Sequence, residues 1–427
     1  MKNSRLFQKL TIVILAILAG GLLLFSKKNT PTQKPNIIFI SIDTLRADHL
    51  SCYGYARKTS PNIDKFTKDA VLFQSAITQA PETAPAHMSI FTSLTPAVHK
   101  ILSYKETKLF RRLEEHIKTL PMILKENKYT TIGLHGEGNM SGKLGFDKGF
   151  DIYRGWGNIY TVDALKQKIS DLHEILKDSA KKNKPLFIFL HHYICHDPYL
   201  RSPEQFNLHF LKERAEGLSA NAGDAVWQNE DFAAVRKSFW KGVDLSNAAH
   251  RNHIIALYDG GIYYSDYVFA EVIKTLKEEG CYDNSIIILL SDHGEELYEH
   301  LDSLHWRLFI ETLHVPLIVK FPHQKYAGIT ISNPVRTFDL MPTLFEFLNI
   351  KTNTPMQGIS FMPLLTQKGN YQPIVVSYAD SGINMDESVD ESVRFIKNGF
   401  IYSNQTSHET REWLFDAKVD RGETNNL

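Results

Sequence analysis

IFISIDTLRADHLSCYGY, residues 38–55, begins in an apolar run and breaks at Asp43. The run starts at residue 36 and ends at 42, and its shortness and apolar character mark a buried strand. Three further runs share that character, at 186–192, 285–291 and 315–321. Helical patterns lie between them. Ile255, Tyr258, Ile262, Phe269, Val272 and Leu276 keep a stripe at near-helical spacing. Strands alternating with helices predict an α/β fold with a large central, mostly parallel sheet flanked by helices. In such folds the site forms where strands end and helices begin. The polar residues that directly follow the apolar runs are therefore the first candidates for chemistry.

Asp43 is one of them, well placed for a metal-binding carboxylate, although an Asp after a strand also serves as a helix cap. A second group is SDHGEE, residues 291–296, directly after the strand NSIIILL. There Asp292 and His293 stand side by side, and a carboxylate beside an imidazole can ligate a divalent cation. Gly294 relieves crowding at that point. The third group is PETAPAHMSIFTSLTP, residues 81–96. Pro85 fits the first turn of a helix, with Thr83 just ahead of it. A hydroxyl there faces the positive end of the helix dipole, where anions bind and alkoxides are stabilised. The alternative is that Thr83 merely caps the helix.

Composition narrows the classes. Of 427 residues, 43% are hydrophobic and 22% charged, which is ordinary for a globular protein. Lys plus Arg equal Asp plus Glu at 48 each, so no basic footprint for nucleic acid is present. The three cysteines, Cys52, Cys195 and Cys281, have no CxxC spacing, which argues against a cysteine zinc site and a disulfide framework. At the N-terminus Lys2, Arg5 and Lys9 precede an apolar run at 10–25, followed by Lys27, Lys28 and a polar linker to Lys34. This reads as an uncleaved membrane anchor, or else a signal segment, with the body outside the cytoplasm, either periplasmic or extracellular. Residues 1–34 form this segment, 35–350 a catalytic domain, and 351–427 a small C-terminal antiparallel subdomain. Asn398-Gly399 between two apolar stretches signals a hairpin there, and Trp413 to Phe415 read as a further strand. The stretch 201–252 is polar and irregular, a candidate lid or a plain surface excursion.

Taken together, these segments resemble the sulfatase family of the alkaline phosphatase superfamily. SIDTLRADHLSCYGY is similar to its opening metal loop. TAPAH, residues 83–87, lies where sulfatases carry CxPxR or SxPxR. HHYICHDPY at 191–199 resembles the strand ending in a substrate-binding His, here His196. YDGGIYYSD, ILLSDHGEE, HVPLIVKFP, FDLMPTLFEFLNI and the closing WLFDAKVDRGETNNL follow in the family's order. The resemblance implies a hydrolase of sulfate or phosphate esters with one divalent ion, whether calcium, manganese or zinc, held by Asp43, Asp292, His293 and Thr83. Departures also stand out. The formylglycine position is Thr83, the signature Arg is His87, and Thr44 replaces the loop's second Asp. The Lys-x-His element is missing, with Gly136 and Gly138 near its place, and His305 occupies the later Lys position.

These departures imply that Thr83 itself is the nucleophile, as in threonine-bearing relatives. It would form a covalent enzyme ester with an anionic ester substrate. His196 would stabilise the anion and His305 protonate the leaving group or grip an oxygen. His87 would support the site from behind or pack within the helix. His191, His192 and His300 read as structural or surface residues. Without an aldehyde hydrate, a phosphate ester suits Thr83 better than a sulfate. A phosphoglycerol or phosphoethanolamine transferase and an inactive binding relative are the alternatives.

Overall fold

The computed structural model describes residues 34–423, apart from 103–111, 137, 157–158, 183, 220–231, 302, 306, 374, 384–388, 398–399, 406–410, 417–419 and 421–422. The N-terminal apolar run and Asn398-Gly399 lie outside the described residues. Among the described residues no helix is long and apolar enough to cross a membrane. Residues from 35 onward cluster as one compact unit.

The centre is a nine-stranded sheet. Its strands are β1 (Asn36–Ile42), β2 (Val71–Ile77), β3 (Thr130–His135), β4 (Ile152–Gly155), β5 (Leu186–His192), β6 (Ser285–Leu290), β7 (His314–Lys320), β8 (Thr330–Ile331) and β9 (Val335–Arg336). Their order is β4-β3-β5-β1-β6-β7-β2-β8, with β9 also pairing β2. The five strands from β4 to β6 are parallel throughout, and β7 runs antiparallel to both β6 and β2. The sheet is thus mostly parallel, as expected. A second sheet of β10 (Val375–Ile383), β11 (Val389–Lys397), β12 (Phe400–Gln405) and β13 (Arg411–Asp416) is wholly antiparallel. Lys397 pairs with Phe400, so two residues join β11 to β12, the spacing the hairpin signal requires.

Continuous apolar strands are explained by burial on both faces. Alternate residues of β1 face opposite cores: Ile37 and Phe39 join one cluster, Ile38, Ile40 and Ile42 the other. The first cluster is covered by α1 (Thr83–Thr92), through Met88, Ile90 and Phe91. The second is covered by α2 (Val162–Lys182) and by α4 (Ala248–Glu278), whose Ile254, Leu257, Tyr258, Ile262, Phe269, Val272 and Leu276 all pack inward. The polar stretch 201–252 contributes one longer helix, α3 (Phe232–Lys241), and the start of α4. Strand β2 was not visible in the apolar pattern. Gln74 and Ser75 interrupt it, and its pairing with β7 shifts register between Phe73 and Ala76.

Candidate active site

Asp43 follows β1, His191 is the penultimate residue of β5 and Asp292 lies just beyond β6, so three adjacent parallel strands deliver polar side chains to one sheet edge. Sheet register sets Ser41 opposite both His191 and Leu290. The turn after Asp43 is tight. Thr44 has φ 57°, an unfavourable conformation for a β-branched residue. Tyr258 of α4 holds that turn, its hydroxyl donating to the Thr44 carbonyl at 2.6 Å and accepting from Arg46 N–H at 2.9 Å. Ser291 ties the turns after β1 and β6, accepting from Leu45 N–H at 2.9 Å and donating to the His293 carbonyl at 2.6 Å. Packing leaves no room for a side chain at Gly294, since a Cβ there would lie 2.0 Å from the Glu311 carbonyl oxygen.

Helix α1 brings Thr83 into this edge. Glu82 occupies the cap position and Thr83 the first helical residue, so the capping alternative does not hold; the helix begins one residue earlier than that alternative required. The Thr83 hydroxyl donates to Asp43 Oδ2 at 3.1 Å and lies 3.5 Å from His293 Nε2. Asp43, Asp292 and His293 present ligand atoms within 4.8 Å of one another, all buried. Asp43 Oδ1 and Asp292 Oδ2 have no hydrogen-bond partner. Burial raises the Asp292 carboxyl above its ordinary value, and the neighbouring Asp43 charge adds to it. Two buried carboxylates this close repel unless one of them takes up a proton or a cation sits between them. His293 is prepared for one: its Nδ1–H donates to the Gly294 carbonyl at 2.9 Å, leaving the Nε2 lone pair facing Asp292 and Thr83. The residues therefore fit a divalent ion.

His87, His191 and Asp292 also approach within 4.8 Å, but their hydrogen bonds give these two imidazoles another role. His87 Nδ1 lies 2.9 Å from the Thr83 carbonyl, which can only accept, so it carries the proton, and Nε2 takes the Ser41 hydroxyl at 2.9 Å. His191 Nδ1 accepts from Gly136 N–H at 3.3 Å, which leaves the proton on Nε2, 3.4 Å from Asp43 Oδ2. Both are N–H donors aimed at the site, not lone pairs. Burial lowers His87 to about 4 and His191 to about 3, so both are neutral. His87 thus supports Thr83 and Asp292 from behind. His191 corrects its reading as a merely structural residue: the pair of histidines ending an apolar strand looked like core, yet the register turns one of them toward Asp43. His192 and His300 stand outside the cluster, His192 buried and His300 stacked on Phe309 at 3.8 Å.

His305 and His196 are brought in as well. The His305 ring centre lies 4.5 Å from that of His293 and 5.2 Å from that of His196, so three imidazoles run outward from Thr83 in file. His305 Nδ1 pairs with Glu295 Oε1 at 2.8 Å. Burial pushes the Glu295 carboxyl up and the His305 imidazole down. His196 differs. Burial opposes its charge, but Asp197, 2.9 Å from Nδ1, outweighs burial and raises its pKa. Tyr258, Ser291, Glu295 and Asp197 were missed as site residues. Glu295 lay in view within SDHGEE, and Asp197 directly follows His196.

The chain matches the family model described as Sulfatase over residues 35–350 and that described as N-sulphoglucosamine sulphohydrolase, C-terminal, over 304–427. It is 24% identical over 400 residues to a multifunctional alkaline phosphatase superfamily protein, PehA, of Trinickia caryophylli, covering 78% of this chain and 77% of that protein. It is 21% identical over 448 residues to an arylsulfatase of Clostridium perfringens, covering 92% and 90%. With human iduronate 2-sulfatase the identity is 25%, and the chain spans 65% of that protein's length. Among solved structures, a phosphonate monoester hydrolase of Agrobacterium radiobacter superposes with a TM-score of 0.73 at 20% identity, covering 92% of this chain and 91% of that one. A protein solved with its substrate D-glucosamine-2-N,6-O-disulfate gives 0.72 at 19% identity, covering 92% and 93%. The strand-end carboxylates, the helix-borne hydroxyl and the family match across most of the described chain converge, and the chain belongs to the sulfatase family as an ester-hydrolysing enzyme of the alkaline phosphatase superfamily.

Proposed function

We propose that the chain is a metal-dependent hydrolase of phosphate, phosphonate or sulfate esters that works through a covalent ester on Thr83. The observation that carries this reading is the Thr83 hydroxyl at 3.1 Å from Asp43 Oδ2, beside two buried carboxylate oxygens that lack partners. A divalent ion held by Asp43, Asp292, His293 and Thr83 would neutralise the carboxylates and an ester oxygen and lower the hydroxyl pKa. The first turn of α1 stabilises negative charge on Thr83 Oγ1, and Asp43 receives its hydrogen bond. As Oγ1 bonds to phosphorus or sulfur, its proton passes to Asp43 Oδ2 and the bond to the leaving oxygen breaks. His305, paired with Glu295, gives a proton to that oxygen, and His196 faces the anionic group with its charge held by Asp197. Water then cleaves the Thr83 ester.

Phosphorus esters are the preferred class. A threonine ester has no internal route for expulsion, so the group must be displaced by water from a residue whose superfamily relatives form phosphothreonine intermediates. The superposition on a phosphonate monoester hydrolase supports the same preference. We also propose that residues 10–25 anchor the chain with its body outside the cytoplasm, testable by protease protection in sealed vesicles.

The full chain should be assayed with calcium, manganese or zinc on the nitrophenyl esters of sulfate, phosphate, phosphodiester and phenylphosphonate. Turnover of a phosphorus ester, lost in Thr83→Ala, together with a trapped adduct on Thr83, is expected. Turnover of sulfate alone would overturn the phosphorus preference, and full activity of Thr83→Ala would overturn the nucleophile.

A further inference from the structure

Helix α3 arises from the polar stretch that carried no motif, yet it reaches the active site through one buried carboxylate. Arg236 and Trp240 are four residues apart and so share a helix face. Both converge on Asp197: Arg236 Nε donates to Oδ2 at 2.5 Å and Trp240 Nε1 to the same oxygen at 3.0 Å. Asp197 is fully buried, and its other oxygen, Oδ1, lies 2.9 Å from His196 Nδ1. The two oxygens therefore have divided duties, one gripped by α3 and one by the imidazole.

The packing makes the grip rigid. Phe239 is buried beside Tyr199, and Trp240 meets Tyr199 edge-on at 6.1 Å. Tyr199 in turn meets Tyr258 at 5.6 Å, the residue that holds the turn after Asp43. An aromatic column thus fixes α3 against the same helix that braces the metal-type loop. A carboxylate held on one oxygen by two N–H donors keeps its other oxygen, Oδ1, facing His196 Nδ1. His196 Nδ1–H donates to the Asp197 main-chain carbonyl at 3.1 Å with Oδ1 beside it, so Asp197 holds the proton on Nδ1 through backbone and side chain together, and the ring packs against His305.

We infer that Arg236 and Trp240 are positioning residues for His196, acting through Asp197, and that α3 is the element that orients this histidine toward the anionic group of the substrate. The inference rests on the proposed role of His196. Their effect on His196 passes through the Asp197 carboxylate they hold.

The test combines kinetics with a readout that needs no turnover. Arg236→Gln removes the charged donor and Trp240→Phe removes only the indole N–H while keeping the aromatic packing. Each should lower kcat roughly tenfold, the scale seen when an outer partner of a site histidine is lost. KM should move by no more than about twofold. Arg236→Lys should recover part of the loss. In an Asp197→Asn background, Arg236→Gln should cost nothing further, because the path it acts through is already broken. In parallel, 15N NMR of the histidine side chains, with His196 assigned by His196→Asn, should show a single Nδ1–H tautomer in the full chain and a mixture in Arg236→Gln/Trp240→Phe. Additive losses in the Asp197→Asn background, or one unchanged tautomer in the double variant, would overturn the inference. If the parent chain turns over no ester, the proposed function fails while the tautomer measurement still decides the positioning role.

Discussion

Replacing Asp292 with Asn should stabilise the protein in one condition and destabilise it in another. Asp43 and Asp292 present oxygens within 4.8 Å of each other, both fully buried. At an effective dielectric of about 20, two charges at that distance repel by roughly 3 kcal/mol. The raised Asp292 carboxyl has the same origin, burial first and the Asp43 charge second. The sign follows from linkage. A carboxyl raised in the folded state favours folding at low pH, and that contribution is lost as pH rises from the unfolded value through the folded one. In chelator at neutral pH the parent chain therefore carries the penalty and Asp292→Asn does not. With a bound ion the order reverses. A ligand at a hundredfold excess over its Kd adds about 2.7 kcal/mol to the parent, and the variant has lost a charged ligand. At roughly 2 °C per kcal/mol for a chain of this size, Asp292→Asn should melt about 5 °C above the parent in chelator and below it in saturating calcium, manganese or zinc. Thermal unfolding followed by circular dichroism, with and without each ion, is the assay. A variant less stable than the parent in chelator, with no response of the parent to any of the three ions, would refute both the repulsion and the ion site.

Two further outcomes follow from the same edge of the sheet and its surroundings. Gly136→Ala would put a Cβ 2.6 Å from Tyr193 Cδ2 and 3.2 Å from His191 Nδ1, displacing the ring that faces Asp43; kcat should fall roughly 10- to 100-fold while the circular dichroism spectrum is kept, and unchanged kcat would remove His191 from the site. His99 and His192 are each lowered to about 3 by burial, so the folded state rejects their protons: stability is whole above the unfolded value near 6.5 and is lost as pH falls toward 3, by roughly 5 kcal/mol each at full protonation. Urea midpoints measured from pH 7 to pH 4 should fall steeply, and His99→Gln should flatten the slope.

The parts of the site that could be read in advance are those where a local rule and the chemistry coincide. Asp43 and Asp292 each follow an apolar run, and a polar residue at a parallel strand's end has few other reasons to be buried. Thr83 stands two residues before a proline that opens a helix. The parts that escaped depend on pairing across the chain. His191 and His192 look alike in sequence, both ending an apolar strand. Only the register against β1, which sets His191 opposite Ser41, separates the one facing Asp43 from the one facing away. Tyr258 sat within a helical stripe and was counted as core, which it is; its hydroxyl, at 2.6 Å from the Thr44 carbonyl, adds the second duty that periodicity cannot reveal. Arg236 and Trp240 lay in a polar stretch read only as a lid or a surface excursion, and their partner is 39 residues away in sequence from Arg236.

The substitutions that set this chain apart are coupled. His87 stands where the resemblance implies an arginine, yet it does not reach outward as a cation; both its nitrogens are engaged, by the Thr83 carbonyl and the Ser41 hydroxyl. Gly136, near the place of the missing Lys-x-His element, has its space taken by Tyr193 and His191. The side chains that would have carried positive charge are replaced by neutral N–H donors packed against the carboxylates. Burial disfavours charge on His305, whereas the charge of His196 is favoured because Asp197 is present and held. In the proposed mechanism, charge stabilisation therefore leans on a cation held at Asp43 and Asp292 and on His196, whose orientation is delegated to a helix from the polar stretch that carried no motif.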